Sequence, residues 1–87
     1  MKDIKMFMFE ACPHCKLARR LMTKLQEEDP RYAALKIEMI DEKKQPEIAD
    51  QYDYYYVPTY FVDGQKVHEG HAELADVKKV FDLALAD

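Results

Sequence analysis

The spacing of apolar residues changes period several times along the chain. Ile4 to Phe9 is apolar at successive positions, Met6-Phe7-Met8-Phe9, the pattern of a central strand covered on both faces. From about Pro13 to Glu28 the period lengthens. Ala18, Leu21, Met22 and Leu25 form a helical stripe, and Lys16, Arg19, Arg20 and Lys24 lie away from it. Asp29-Pro30 ends this helix, because the residue before proline avoids the α region. Leu35, Ile37 and Met39 then alternate with Lys36 and Glu38, which predicts a half-exposed strand at a sheet edge. The intervening crossover makes this strand parallel to the first.

The second half reads in the same way. Asp41 to Lys44 is a charged loop, and Pro46 opens a short helix with Ile48, Ala49 and Tyr52 facing inward. Asp53 to Val57 is an aromatic connection, and Thr59 to Val62 is a third strand of β-branched and aromatic residues. Asp63-Gly64 is a two-residue hairpin signal, so Gln65 to Glu69 returns antiparallel. After Gly70 a last helix is expected from about Ala72 to Ala86, with Leu74, Val77, Phe81 and Ala84 on one face and Val80 beside them. The order β-α-β-α-β-β-α is that of an α/β domain: a mixed four-stranded sheet flanked by three helices, with residues 1–87 as one unit.

Composition narrows the function classes. Apolar residues make up 48% of the 87 positions and only two are glycine, which favours a packed core over disorder. Two cysteines are too few to staple a secreted scaffold. No secretory leader and no membrane-length apolar run is seen, so a cytoplasmic, monomeric protein away from membranes is expected. A net charge of −4 argues against nucleic acid as partner.

The candidate chemistry lies at Cys12-Pro13-His14-Cys15, between the first strand and the first helix. Pro13 suits the first helical position. That puts Cys12 at the N-cap, with its sulfur facing the N–H groups of His14 and Cys15. These donors and the helix dipole favour thiolate over thiol. Cys15 lies one turn on, more shielded, as a resolving thiol behind an exposed nucleophile. A protonated His14 would stabilise the thiolate and make the disulfide more oxidising. Glu10 either opposes thiolate formation or shuttles protons to Cys15. The basic face of the first helix either steers anionic substrates or is simply solvated. Tyr52 reads as core, whereas Tyr55 and Tyr56 fit a peptide-binding rim as well as they fit packing. A zinc site from Cys12, Cys15, His68 and His71 is disfavoured, because His-x₂-His is shorter than the usual ligand spacing.

The Cys-Pro-His-Cys turn after the first strand and Val57-Pro58-Thr59 opening the third resemble the thioredoxin fold, with Gln45 to Tyr52 similar to the segment that precedes that proline. The short length resembles glutaredoxin. The resemblance implies a cis Pro58 set against the dithiol. Val57, Pro58 and Thr59 would then receive an extended substrate, with Tyr56, Gly70 and His71 near it. Ala11, Met6 and Phe9 depart from the tryptophan and buried aspartate of thioredoxins and the lysine of glutaredoxins. The glutathione-holding turn of glutaredoxins is matched in part by Glu69-Gly70-His71-Ala72-Glu73. The function implied is a thiol–disulfide oxidoreductase acting on protein or glutathione disulfides. No bound cofactor is needed. Electrons would come from glutathione as co-substrate or from a thioredoxin-reductase-like enzyme. A non-catalytic peptide-binding or assembly module on the same fold is the alternative.

Overall fold

The computed structural model describes residues 1–86. Strand β1 (Ile4–Met8) leads to helix α1 (Pro13–Glu28), a single turn α2 (Pro30–Ala33), strand β2 (Ile37–Asp41), short helix α3 (Pro46–Ala49), the hairpin β3 (Thr59–Val62) and β4 (Gln65–Glu69), and helix α4 (Leu74–Leu85). The sheet order is β2-β1-β3-β4. β1 runs parallel to β2 and antiparallel to β3, and β3 pairs antiparallel with β4. The sheet is therefore mixed and four-stranded, with β1 interior and β2 at an edge, as the hydrophobic pattern requires.

Both faces of β1 are covered. Ile4, Met6 and Met8 join Ala18, Met22 and Leu25 of α1 and Val77, Val80, Phe81 and Ala84 of α4 in the larger core. Phe7 points the other way, into a smaller cluster with Ile40, Ala49 and Phe61, against which Ile48, Tyr52 and Tyr54 pack. Phe7 lies between the Tyr52 and Tyr54 rings, 4.8 and 4.9 Å away centroid to centroid. The hairpin turns at Asp63 and Gly64, both at positive φ (53° and 83°), as a two-residue turn of this kind demands. One irregularity interrupts β3–β4. Phe61 pairs with Lys66 and Tyr60 with His68, so Val67 is an extra residue in β4.

Several expectations need correction. A fourth helical segment is present, because Asp29 both ends α1 and caps α2 by accepting the Arg31 N–H at 2.9 Å. β1 ends at Met8, not Phe9, since Phe9 enters a turn in which its carbonyl accepts the Cys12 N–H at 3.2 Å. Leu35 precedes β2, and Met39 on this edge strand is 49% exposed; Ile40, on the opposite face, is the buried residue of the strand. Leu74, the first residue of α4, is 37% exposed rather than part of the inner face.

This division of α4 has a measurable consequence. Phe81→Ala removes a fully buried ring and is expected to cost about 3–5 kcal/mol in urea unfolding. Leu74→Ala is expected to cost less than about 1 kcal/mol.

Candidate active site

The antiparallel pair Phe7↔Thr59 is the last rung of the β1–β3 ladder. Beyond it β1 runs on into the Cys12 turn, while β3 is entered from Pro58. The sheet thus brings the two motifs to the same end. The Val57–Pro58 peptide bond is cis. Val57 is half-buried and packs against both core clusters, the larger of which contains Cys12 and Cys15.

Cys12 is the N-cap of α1, with extended backbone and Pro13 following it in the first turn. The Cys15 N–H donates to Cys12 Sγ at 3.4 Å. Of the two donors expected from the sequence, Cys15 supplies this bond. Both cysteines are free thiols. The expectation of an exposed Cys12 is overturned. Cys12 is only 4% exposed, because the Phe9–Cys12 turn folds it onto the core, and Cys15 is fully buried. Burial, followed by its hydrogen bond with Cys12, pushes the Cys15 thiol up to about 12. Met6, where thioredoxins carry the buried aspartate, is fully buried and pairs with Tyr60 across the ladder. The Tyr60 hydroxyl donates to Met22 Sδ at 3.2 Å, and its burial, with Cys15 close by, pushes its ionisation upward. The floor beneath Cys15 is therefore apolar and polarisable rather than acidic.

The opposite wall is carried by the end of β4. The Gly70 N–H donates to the Pro58 carbonyl at 2.8 Å, with Gly70 at φ +90°, a conformation that side-chain-bearing residues rarely adopt. Buried Thr59 donates its hydroxyl to the Tyr56 carbonyl. Glu69, which the sequence offered only as part of a glutathione-holding turn, has a role that spacing did not signal. Its carboxylate accepts the Tyr55 and Tyr56 N–H groups at 2.5 and 3.0 Å and the Lys66 ammonium at 2.8 Å. Lys66, and after it the two backbone donors, hold Glu69 well below the usual carboxylate range, at about 2. The loop backbone is thereby fixed while its rings stay free: Tyr55 is 87% and Tyr56 70% exposed. Tyr52 and Tyr54 instead pack on Phe7, and Tyr54 donates its hydroxyl to Glu42 at 2.8 Å.

The remaining candidates sort clearly. His14 Nδ1 lies 3.0 Å from His71 Nδ1, and His71 Nε2 meets the Glu73 carboxylate. His68 Nε2 donates to the His71 carbonyl at 2.8 Å. Among the described residues, no group of three or more His, Cys, Asp or Glu side chains is gathered as a metal site. Glu10 is exposed and pairs with Lys44 at 3.2 Å, turned away from a shuttle to Cys15. Of the basic face of α1, Arg19 lies close enough for its charge to act on Cys15, and Lys24 pairs with Glu28 at 3.7 Å.

Because the Glu69 carboxyl is depressed in the folded protein, its hold on the loop is complete above about pH 4.3, the ordinary glutamate value, and is lost as pH falls toward about 2. The Tyr55 and Tyr56 amide resonances are expected to titrate near that lower value. At pH 5 both amides should exchange faster in Glu69→Gln than in the wild type.

The thioredoxin domain family model matches residues 2–82. Similar solved structures include a mutant thioredoxin from Halobacterium salinarum, with TM-score 0.71 and 21% identity over 99% of this chain and 76% of that one. The thioredoxin of Malassezia sympodialis gives TM-score 0.75 and 20% identity over 98% and 76% of the two chains. The oxidised thioredoxin of Plasmodium falciparum gives 0.73 and 18% identity over 98% and 82%. Among curated proteins, none matches the sequence. At these identities the structures establish the fold, and the family match over nearly the whole length establishes that this chain belongs to the thioredoxin domain family, as a thioredoxin-fold thiol–disulfide oxidoreductase.

Proposed function

We propose that Cys12 attacks a substrate disulfide and that Cys15 resolves the mixed disulfide so formed. The observation that carries this reading is the Cys15 N–H donating to Cys12 Sγ at the start of α1, which places one sulfur at a helix N-terminus and its partner a turn behind. In the first step the Cys12 thiolate forms a bond to one substrate sulfur, and the other leaves as a thiolate that takes a proton from water. In the second, Cys15 gives up its proton and attacks Cys12 Sγ, and the remaining substrate sulfur leaves as a thiol. The dithiol is oxidised by two electrons and the substrate reduced by two.

An extended substrate would lie along Val57, Pro58 and Thr59, adding as a short strand, with Tyr56, Gly70 and His71 at its rim. Protein disulfides fit this surface better than glutathione does. The carboxylates of the Glu69–Glu73 turn are already engaged by the protein's own donors, Glu69 by Lys66, Tyr55 and Tyr56, and Glu73 by His71. Reoxidation or re-reduction would then run through a thioredoxin-reductase-like enzyme or glutathione, in a cytoplasmic setting. The burial of Cys12 favours one rival, a module that holds a peptide without exchanging disulfides. No helix of the described chain is long and apolar enough to cross a membrane.

Dithiothreitol-driven insulin reduction separates the two readings. The wild type should accelerate insulin precipitation, Cys12→Ser should abolish the acceleration, and Cys15→Ser should accumulate a mixed disulfide visible by mass spectrometry; no acceleration by the wild type leaves only the binding module. Alkylation of the reduced protein should label Cys12 alone through about pH 9, because Cys15 remains protonated until pH approaches about 12. Equal labelling of both sulfurs would contradict the assigned roles.

A further inference from the structure

The sequence offers His14 as a stabiliser of the Cys12 thiolate, but it gives no reason for a second imidazole to meet that ring. The two rings come from opposite walls of the site, His14 from the first turn of α1 and His71 from the turn between β4 and α4. Their Nδ1 atoms are 3.0 Å apart and their planes are nearly perpendicular, at 84°.

His71 is held independently of His14. Its Nε2 contacts the Glu73 carboxylate. A carboxylate only accepts, so the proton on this nitrogen belongs to His71. Its carbonyl accepts from His68 Nε2 at 2.8 Å. The ring is thus oriented from behind, and its Nδ1 is the atom presented to His14. Between two Nδ1 atoms at hydrogen-bond distance there is room for one proton. Two protons would set donor against donor, and none would leave two lone pairs facing each other. The backbone N–H of Glu73 is tied to Asp76 at 2.9 Å, which fixes the carboxylate's own residue at the start of α4.

We propose that His71 and Glu73 are positioning residues for His14. Together they form a Glu73–His71–His14 relay that holds the His14 ring on the β4 side of the dithiol and keeps one shared proton there. This rests on the exchange reading of Cys12 and Cys15 and adds to it the residues that govern His14. At the ends of the elements that carry the pair, the other titratable groups are Cys12 at the cap and Cys15 and Lys16 in the first turn of α1, His68 and Glu69 closing β4, and Asp76 in the first turn of α4, with Glu10 in the turn before Cys12 already paired to Lys44. His68 Nδ1 lies 4.0 Å from an Asp76 carboxylate oxygen, so this ring faces α4 as well as the His71 carbonyl.

The test compares His71→Ala, His71→Asn and Glu73→Gln with the wild type. The readouts are the dithiol–disulfide equilibrium constant in glutathione redox buffers, the pH profile of insulin reduction from about pH 5 to 9, and the ring ¹⁵N shifts of His14. Losing one hydrogen bond of this kind is expected to change the equilibrium constant by about two- to tenfold. His71→Ala should show that change, lose one titration step from the pH profile, and move the His14 ¹⁵N shifts toward those of a free imidazole. In His71→Asn the amide oxygen can replace Nδ1 as acceptor but does not titrate. It should keep the wild-type equilibrium constant and still lose the step. Glu73→Gln should lie between His71→Ala and the wild type. The relay is overturned by a His71→Ala protein with wild-type constant, pH profile and His14 shifts, or by a His71→Asn protein that falls as far as His71→Ala. The ¹⁵N arm needs no turnover. A wild type that fails to reduce insulin therefore rejects the exchange chemistry, while the His14 shifts still decide the relay.

Discussion

The antiparallel seam between β1 and β3 is the constraint from which the site follows. Each of these strands is short, and each would be an ordinary apolar segment alone. Once Phe7 is paired with Thr59, the chain leaving one strand and the chain entering the other must emerge side by side. The Cys12 turn and Pro58 are 46 residues apart in sequence, yet no long connection is needed to bring them together. The seam is buried on both faces, by α1 and α4 on one side and by α3 with Tyr52 and Tyr54 of the following connection on the other. Hydrophobic burial holds the strands, and the strands hold the chemistry.

The two walls of the site are built by different means. The cysteine wall is backbone geometry: a strand end, a turn closed at Phe9, and a helix cap. The facing wall is a set of side-chain and backbone bonds gathered at the end of β4. Gly70 holds Pro58, Glu69 holds the Tyr55–Tyr56 backbone, and His71 reaches across to His14. The interior beneath the dithiol has no ionised group at the Met6 position. The charged side chain that acts on Cys15 is instead Arg19, half-buried on α1.

What the sequence reveals depends on range. The strand–helix alternation, the Asp63-Gly64 turn and the position of Cys12 as helix cap are local, and local spacing carries them. The turn α2 was missed although its signal is local: Asp29-Pro30 can start a helix as well as stop one, since Asp is a good cap and Pro a good first residue. The burial of Cys12 was not legible at all, because it depends on how the Phe9–Cys12 turn packs into a core gathered from elements distant in sequence. Alternation placed Met39 on the same face of β2 as Ile37, but it does not report that a side chain of this edge strand stays half exposed. Glu69 bonds a loop more than a dozen residues away, and His14 meets His71 from 57 residues away. No periodicity signals such pairs.

The unpaired Val67 sets the phase of everything that follows it in the hairpin. A strand presents alternate side chains to opposite faces, and one inserted residue reverses that alternation downstream. Were the ladder regular, Val67 would stand opposite Tyr60, and His68 would take the place opposite Thr59 that Glu69 now holds. The carboxylate that pins the tyrosine loop would then stand off the end of the ladder, and the glycine behind Pro58 would be out of step with it. A single surplus amino acid thus keys the whole far side of the groove to the cysteines, as one tooth sets the timing between two gears.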